Sequence, residues 1–156
     1  MTASDLEVLV EQCGLGLDAE LVLLVRLQGI VARQHETIRI GDIAGLQRET
    51  DQRDALTSEL TATERQVRPA YERLTRGPAA ASRPKGFDHA VALRLTFERM
   101  VNEILDIDRD SIRALEQIIV ARRTAAQAAE QAETTLAAYG RVVAPPPTAT
   151  LVNRRG

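Results

Sequence analysis

The chain has 156 residues, 44% of them apolar and only 3% aromatic, with a formal net charge of -2. This length fits one domain, and the nearly balanced charge argues against nucleic acid or an anionic membrane surface as the partner. Because aromatic side chains normally bury the largest areas, their scarcity favours thin helix-on-helix seams of Leu, Val, Ile and Ala. The single cysteine, Cys13, excludes an internal disulfide and is typical of a reducing compartment.

Two features predict a cytoplasmic location. No run of about 18 apolar residues is present, so we expect no membrane insertion. The N-terminal stretch MTASDLEVLVEQ carries acidic residues and no basic region, unlike a secretory signal. Export by a route that needs no cleaved signal stays open.

The first predicted helix covers about residues 5–40. Its apolar residues recur every seven positions, at Leu17, Leu24, Val31 and Ile38, which is the spacing of an amphipathic helix. Asp18 is a candidate N-cap, and Glu20 is placed to favour the positive end of a helix that starts there. The pair Gly14 and Gly16 predicts a break before this point.

A tight corner follows, in the stretch RIGDIAGLQ. Gly41 is expected to end the first helix and Asp42 to cap the second, giving an antiparallel hairpin. The second helix covers about residues 43–75, with Leu46, Leu60, Val67 and Leu74 at seven-residue spacing. Arg53 interrupts this ladder, either as an arginine whose aliphatic stem packs along the seam or as the end of the tight seam. Pro69 predicts a kink or break near Arg68.

The stretch RGPAAASRPKG, residues 76–86, is predicted to be a linker before a third helix over about 87–139. The second helix would be roughly 48 Å long and the third roughly 78 Å. If the third helix runs back along the second, it reaches the corner near Ile119, and residues 120–139 extend beyond the hairpin. The predicted fold is therefore all-α, an elongated antiparallel three-helix coiled-coil bundle with a long C-terminal helix. This single domain, 1–140, precedes a flexible proline-containing tail, 141–156.

Residues with catalytic or metal-binding potential do not form a recognisable site. His35 opens the stretch HETIR, which lacks the second histidine of a zinc protease helix. Neither His35 nor His89 has a glutamate three residues before it, as a di-iron bundle requires. Helical geometry spreads the carboxylates of Asp106, Asp108 and Asp110 around the cylinder, and Cys13 has no obvious base. We therefore predict no catalytic residue, no cofactor, no metal and no enzymatic activity.

Three segments resemble the FlgN family of flagellar type III export chaperones, and they resemble the related FliT chaperones almost as well. They are the corner ETIRIGDIAGLQRETDQRDALTSEL, the midpoint ILDIDRDSIRAL of the last helix, and the helix end AAYG followed by a tail closing on LVNRRG. The resemblance covers roughly residues 17–156. At the midpoint, Asp108 and Asp110 stand where the FlgN pattern favours asparagine, which leaves the choice between a FlgN-like and a FliT-like role open.

The resemblance implies a cytoplasmic chaperone that binds the C-terminal helix of hook-filament junction or cap subunits. It would prevent their premature assembly and deliver them to the export gate. The implied partner-binding positions lie on the last helix, at Ile112, Leu115, Ile119, Leu136 and Tyr139. Such anchors suit the recognition of a helix lying in a groove. Plain core packing is the competing interpretation for Leu115 and Ile119, and helix-end packing for Tyr139.

The tail is the second element that the resemblance assigns to a partner. The three prolines after Ala144 would hold a short extended spacer. They would keep Leu151, Val152, Arg154 and Arg155 available for contact with an export gate component. An ordinary disordered terminus is the alternative.

Two other function classes remain open. A structural homodimeric coiled-coil scaffold or tether with no client would pair the same overhang with its own copy, and even a chaperone could form a weak homodimer. A regulator that sequesters a transcription factor would use the same groove for a different protein.

Overall fold

In a computed structural model, the structure describes residues 1–143, which form four helices and no strand. The helices are α1 (Ala3–Ile40), α2 (Ile43–Arg76), the short α3 (Pro78–Ser82) and α4 (Phe87–Val143). The prediction of an all-α fold is confirmed. The last long helix begins at Phe87 as predicted, but it continues through 141–143, which the sequence had assigned to the tail.

α1 is one continuous helix, so the predicted break at Gly14 and Gly16 is wrong. Its N-cap is Thr2, whose side chain accepts a hydrogen bond from the Asp5 backbone N–H, while the Asp5 carboxylate accepts from Thr2. Asp18 lies in the helix interior and caps nothing. The helix tolerates the glycines because its a and d positions carry the packing on both sides of them.

Gly16 has a packing role in α1. A Cβ atom at this position would lie only 2.5 Å from Cγ2 of Val67 in α2. The missing side chain therefore lets the two helices approach closely, which offsets the intrinsic cost of glycine in a helix.

The corner between α1 and α2 forms as predicted. Gly41 adopts the left-handed conformation, with φ 74°, and its N–H bonds the carbonyls of Ile38 and Thr37. The Asp42 side chain accepts a hydrogen bond of 2.8 Å from the Gly45 backbone N–H, which caps α2. Glycine suits the first position because it adopts positive φ without steric cost.

α2 continues past Pro69 to Arg76, so this proline does not end the helix. The predicted linker is also partly helical. Proline at the first position starts α3, where a missing N–H costs nothing. Ala79 of α3 is fully buried against the ends of α1, α2 and α4, which explains why this alanine-rich stretch folds instead of remaining a loop.

The chain divides into two compact units, Met1–Leu115 and Glu116–Gly156. In the first unit, contacts run in opposite order along α1 and α2 and in the same order along α1 and α4. Its core consists of two apolar clusters. Cluster 1 contains Leu6, Leu9, Val10, Cys13, Leu17, Val67, Leu74, Ala79, Phe87 and Ala90. Cluster 2 contains Leu23, Leu24, Leu27, Ile30, Val31, Leu56, Phe97, Met100 and Ile104.

The described part of the second unit, residues 116–143, belongs entirely to α4. None of its residues is buried, and every residue from Ile119 onward is exposed. Alanine and long straight side chains dominate this stretch, and both have high intrinsic helix propensity. The helix therefore presents all its faces for contact with other molecules.

Candidate partner-binding surface

Two of the predicted partner-binding residues, Ile112 and Leu115, line the same groove of the first unit. The groove has a volume of about 390 Å³. Ile38 of α1 and Leu46 of α2 complete its apolar wall. Ile112 is 55% exposed, whereas Leu115 is half-buried. Leu115 therefore packs against the bundle and also lines the groove.

Polar side chains form the floor of this groove. Arg53 donates two hydrogen bonds of 2.7 Å to the two carboxylate oxygens of Asp108, and its Nη1 also donates to Oε1 of Gln34 at 3.0 Å. Next to them, Nδ1 of His35 lies 3.1 Å from Oγ of Ser111. Parallel hydrogen bonds between a guanidinium and a carboxylate have a fixed geometry. They join α2 to α4 at one defined position.

These contacts explain the positions of three polar residues, Arg53, Asp108 and His35, whose structural roles the sequence left open. Arg53 sits on the ladder because it pairs with a carboxylate across the bundle. Asp108 differs from its neighbours Asp106 and Asp110, which form exposed ion pairs with arginines three residues later on α4. His35 is a half-buried polar contact with another helix, as expected for a position near the seam.

The other three predicted residues, Ile119, Leu136 and Tyr139, lie in the second unit and are all exposed. Leu136 is 71% exposed and Tyr139 69%. Successive residues turn by about 100° around an α-helix, so these two fall on one face and Ile119 falls roughly a third of a turn away. The face of Leu136 and Tyr139, here called the alanine stripe, also contains Ala125, Ala129 and Ala132.

The alanine stripe has the properties of a helix-docking surface. Small side chains allow a second helix to approach closely, and larger anchors at one end provide apolar area. Ile119 is not part of this stripe. The predicted tail contacts Leu151, Val152, Arg154 and Arg155 lie outside the described residues.

A second polar layer, which sequence reasoning missed, separates the two apolar clusters. Glu20 of α1 is completely buried, with 0% exposure. Next to it, Glu64 of α2 accepts two hydrogen bonds of 2.9 Å from Arg94 of α4 and forms an ion pair of 3.0 Å with Arg68. The Arg94 guanidinium also stacks 4.7 Å from the centroid of the Phe97 ring. All three long helices therefore contribute an ionisable group to this layer.

The pKa values of the two carboxyl groups in this layer, Glu20 and Glu64, shift in opposite directions. Burial, followed by the neighbouring Glu64, raises the pKa of Glu20 to about 8. Burial alone would raise the pKa of Glu64 as well, but hydrogen bonds from Arg94, Glu20 and Arg68 outweigh it and lower that pKa to about 2. In ionised form neither Glu20 oxygen has a donor. A protonated Glu20 can donate to Glu64, so the pair holds one proton at neutral pH.

The heptad pattern contained a signal for this layer. Positions a and d of α1 run without interruption through Leu6, Val10, Cys13, Leu17, Glu20, Leu24, Leu27, Val31, Gln34 and Ile38, and all ten are buried. Counting back seven residues from Leu27, on the second of these two ladders, therefore predicts Glu20 in the core. Reading it as a first-turn acidic residue was wrong, because the helix begins 17 residues earlier, at Ala3.

Among residues 1–143, few of the remaining side chains could take part in catalysis or metal binding. No cluster of histidine, cysteine and acidic side chains within residues 1–143 could hold a metal ion. Cys13 is buried in cluster 1, and burial raises the pKa of its thiol. This keeps the group in its neutral, less nucleophilic form. No helix among these residues is long and apolar enough to cross a membrane.

Comparisons with protein-family models, with curated proteins and with solved structures found no match to this chain. The surfaces described above and the sequence segments that resemble the FlgN family are therefore the features of this chain that bear on its function.

Proposed function

We propose that this chain is a cytoplasmic flagellar type III export chaperone that binds the C-terminal helix of a hook-filament junction or cap subunit. The main support is the exposed alanine stripe on residues 116–143 of α4, with Leu136 and Tyr139 at one end. A client that would otherwise assemble too early needs its own assembly helix covered. A long helix with an unoccupied stripe of small and apolar residues offers such cover.

The order of features along the chain adds to this proposal. The Gly41-Asp42 corner, the long last helix and its AAYG end occur in the sequence order of the FlgN pattern. The groove of Ile112 and Leu115 offers further apolar anchors in the first unit. Export gate contact is assigned, on the same resemblance, to the tail.

The test is titration of the purified chain with peptides spanning the C-terminal helices of the junction and cap subunits encoded in the same genome. The key variant combines Leu136→Asp and Tyr139→Asp. Val120→Asp is the matched control, because Val120 is also exposed on this stretch but lies on the other side of the helix from the stripe. We expect the double variant to lose at least about tenfold in affinity, since two apolar anchors are replaced by charges. The control should retain wild-type binding.

Other results would reject the proposal. If no junction or cap peptide binds, the chain is not this type of chaperone. If instead the chain self-associates and only the double variant is monomeric, the homodimeric scaffold is the better description. The exposure of Leu136 and Tyr139 is what keeps that second function open.

The tail needs a separate test. Deleting residues 144–156 should leave the melting temperature unchanged and weaken binding to a purified export gate component. A large fall in melting temperature would mean that the tail contributes to folding. Unchanged gate binding would remove the tail from the proposed contact.

A further inference from the structure

A stripe of exposed apolar residues runs along the face of α1 that points away from the core. Val8, Leu15 and Val22 follow one another at seven-residue intervals and are 48%, 65% and 61% exposed. Gly29 continues the spacing. Residues seven apart align along one side of a helix, and such a seam is what two helices use to pair side by side. The core uses the opposite face of α1, and within residues 1–143 these three apolar side chains remain exposed.

The charges beside this seam change sign at Val22. Glu11 and Asp18 lie on its N-terminal side, and Arg26 and Arg33 lie on its C-terminal side. Asp18 and Arg26 are each four residues from Val22, and Glu11 and Arg33 are each eleven residues from it. All four are exposed. The surface is therefore complementary to itself when one copy is turned end for end.

We propose that two copies of the chain pair through α1, antiparallel, with a two-fold axis at Val22. In this arrangement Asp18 of one copy faces Arg26 of the second copy, and Glu11 faces Arg33. Two-fold symmetry repeats each of these pairs. Val22 then packs against Val22 of the second copy at the centre.

The apolar positions agree with this register. Leu15 and Gly29 are each seven residues from Val22, so a large side chain faces a position without one. Ala19 and Val25, each three residues away, make a second small-to-large pair. Arg33 keeps its 3.0 Å contact with Glu49 while its side chain remains 54% exposed, so it can also face the second copy.

Charge selects the antiparallel arrangement. In parallel pairing, Asp18 would lie against Asp18 and Arg26 against Arg26, which repels. The seam from Glu11 to Arg33 is only roughly 33 Å long. A single helix pair of this length buries little area, so we expect a reversible dimer instead of an obligate one.

This inference does not rest on the chaperone proposal, since it uses no residue of 116–143. Sedimentation equilibrium of the full chain tests it, with Asp18→Arg and Arg26→Asp made separately. Each reversal turns two attractive pairs into repulsive ones, so we expect each to raise the dimer dissociation constant at least about tenfold. An equimolar mixture of the two variants should dimerise again, because the arginine introduced at position 18 then meets the aspartate introduced at position 26, and native Arg26 of the first variant meets native Asp18 of the second. Asp54→Arg, at an exposed position on α2, is the matched control and should behave as wild type.

Cross-linking tests the register. Val22→Cys should form a disulfide dimer under mild oxidation, because the two sulfur atoms meet at the axis. Leu15→Cys should not, since antiparallel pairing separates the two copies of this residue by roughly 21 Å. Native Cys13 is buried and serves as the wild-type background.

Three results would overturn the proposal. One is a wild-type chain that stays monomeric at all concentrations. Another is dimerisation that neither charge reversal weakens. The third is cross-linking of Leu15→Cys as readily as Val22→Cys, which would mean parallel pairing. The client peptides should still bind the Asp18→Arg variant if the chaperone proposal is correct, so the two proposals can fail separately.

Discussion

Replacing Glu20 by Gln tests whether the core holds a proton at neutral pH. The substitution keeps the size of the side chain, removes its titration, and leaves an amide that can donate to Glu64. The groups facing this position are Glu64 and Arg68 from α2, Arg94 from α4, and Cys13 from α1 itself. We expect the variant to be as stable as wild type near pH 5 and more stable at pH 8.

The size of the effect follows from the pKa of Glu20. It is about 8 in the folded chain, against 4.5 for an ordinary glutamate. Between these values the folded state holds a proton that the unfolded state has released, so stability falls as pH rises, by about 1.4 kcal/mol per pH unit. From pH 5 to pH 8 wild type should lose about 3 kcal/mol relative to the Gln variant. For a chain of this size that corresponds to a difference of roughly 10 °C in melting temperature.

Urea unfolding, followed by circular dichroism at several pH values between 5 and 9, measures this difference directly. Glu7→Gln is the matched control, because Glu7 is an exposed glutamate on the same helix. The control should follow the pH dependence of wild type. If wild type and Glu20→Gln show parallel pH profiles, the Glu20 carboxylate ionises in the folded chain without cost. In that case burial does not raise the pKa of Glu20.

Two further substitutions test the packing of the first unit. Gly16→Ala should destabilise the chain by about 1–3 kcal/mol, because its methyl group would overlap the stiff Val67 side chain; adding Val67→Ala should recover part of the loss in thermal unfolding. Gly14→Ala, which meets no atom within 4 Å, should instead stabilise by about 0.5–1 kcal/mol, and equal effects of the two alanines would contradict the close approach. Arg53→Met should lower the free energy of unfolding by about 3 kcal/mol, since it leaves the half-buried Asp108 unpaired. The double variant Arg53→Met, Asp108→Asn should lose less free energy of unfolding than the sum of the losses in the two single variants.

Local signals in the sequence were enough to predict three long helices and the corner between the first two, but they did not predict α3. Gly41 and Asp42 act within a few residues, through backbone conformation and a side-chain cap, so their roles can be read directly. Seven-residue spacing identified the buried faces of α1 and α2 for the same reason. The errors at Gly14 and Gly16 share one cause. Propensity disfavoured a helix at these positions, but packing against neighbouring helices outweighed it.

The partners of the charged residues could not be read from the sequence. Arg53 and Asp108 are 55 residues apart, and Glu64 and Arg94 are 30 apart. Their pairing depends on the alignment of α4 with the hairpin, which no local pattern specifies. For the candidate site, spacing correctly grouped Leu136 with Tyr139 on α4. It did not separate Ile119 from them, because positions a, d and e of successive heptads drift around a straight helix.

Two polar layers provide a physical reason for that alignment. One is the floor of the groove, where Arg53 binds Asp108. The other is the layer of Glu20, Glu64 and Arg94 between the two apolar clusters. A shift of α4 by one heptad along the hairpin would still bring apolar residues against apolar residues, so the clusters alone specify the register weakly. The same shift would place Arg53 opposite Val101 or Leu115 instead of Asp108. It would also take Arg94 away from Glu64, leaving charges buried without partners, at several kcal/mol each. We infer that the layers fix the register at some cost in stability, and Glu20 is part of that cost. The register in turn determines which residues of α4 belong to the packed unit ending at Leu115 and which remain exposed for a partner.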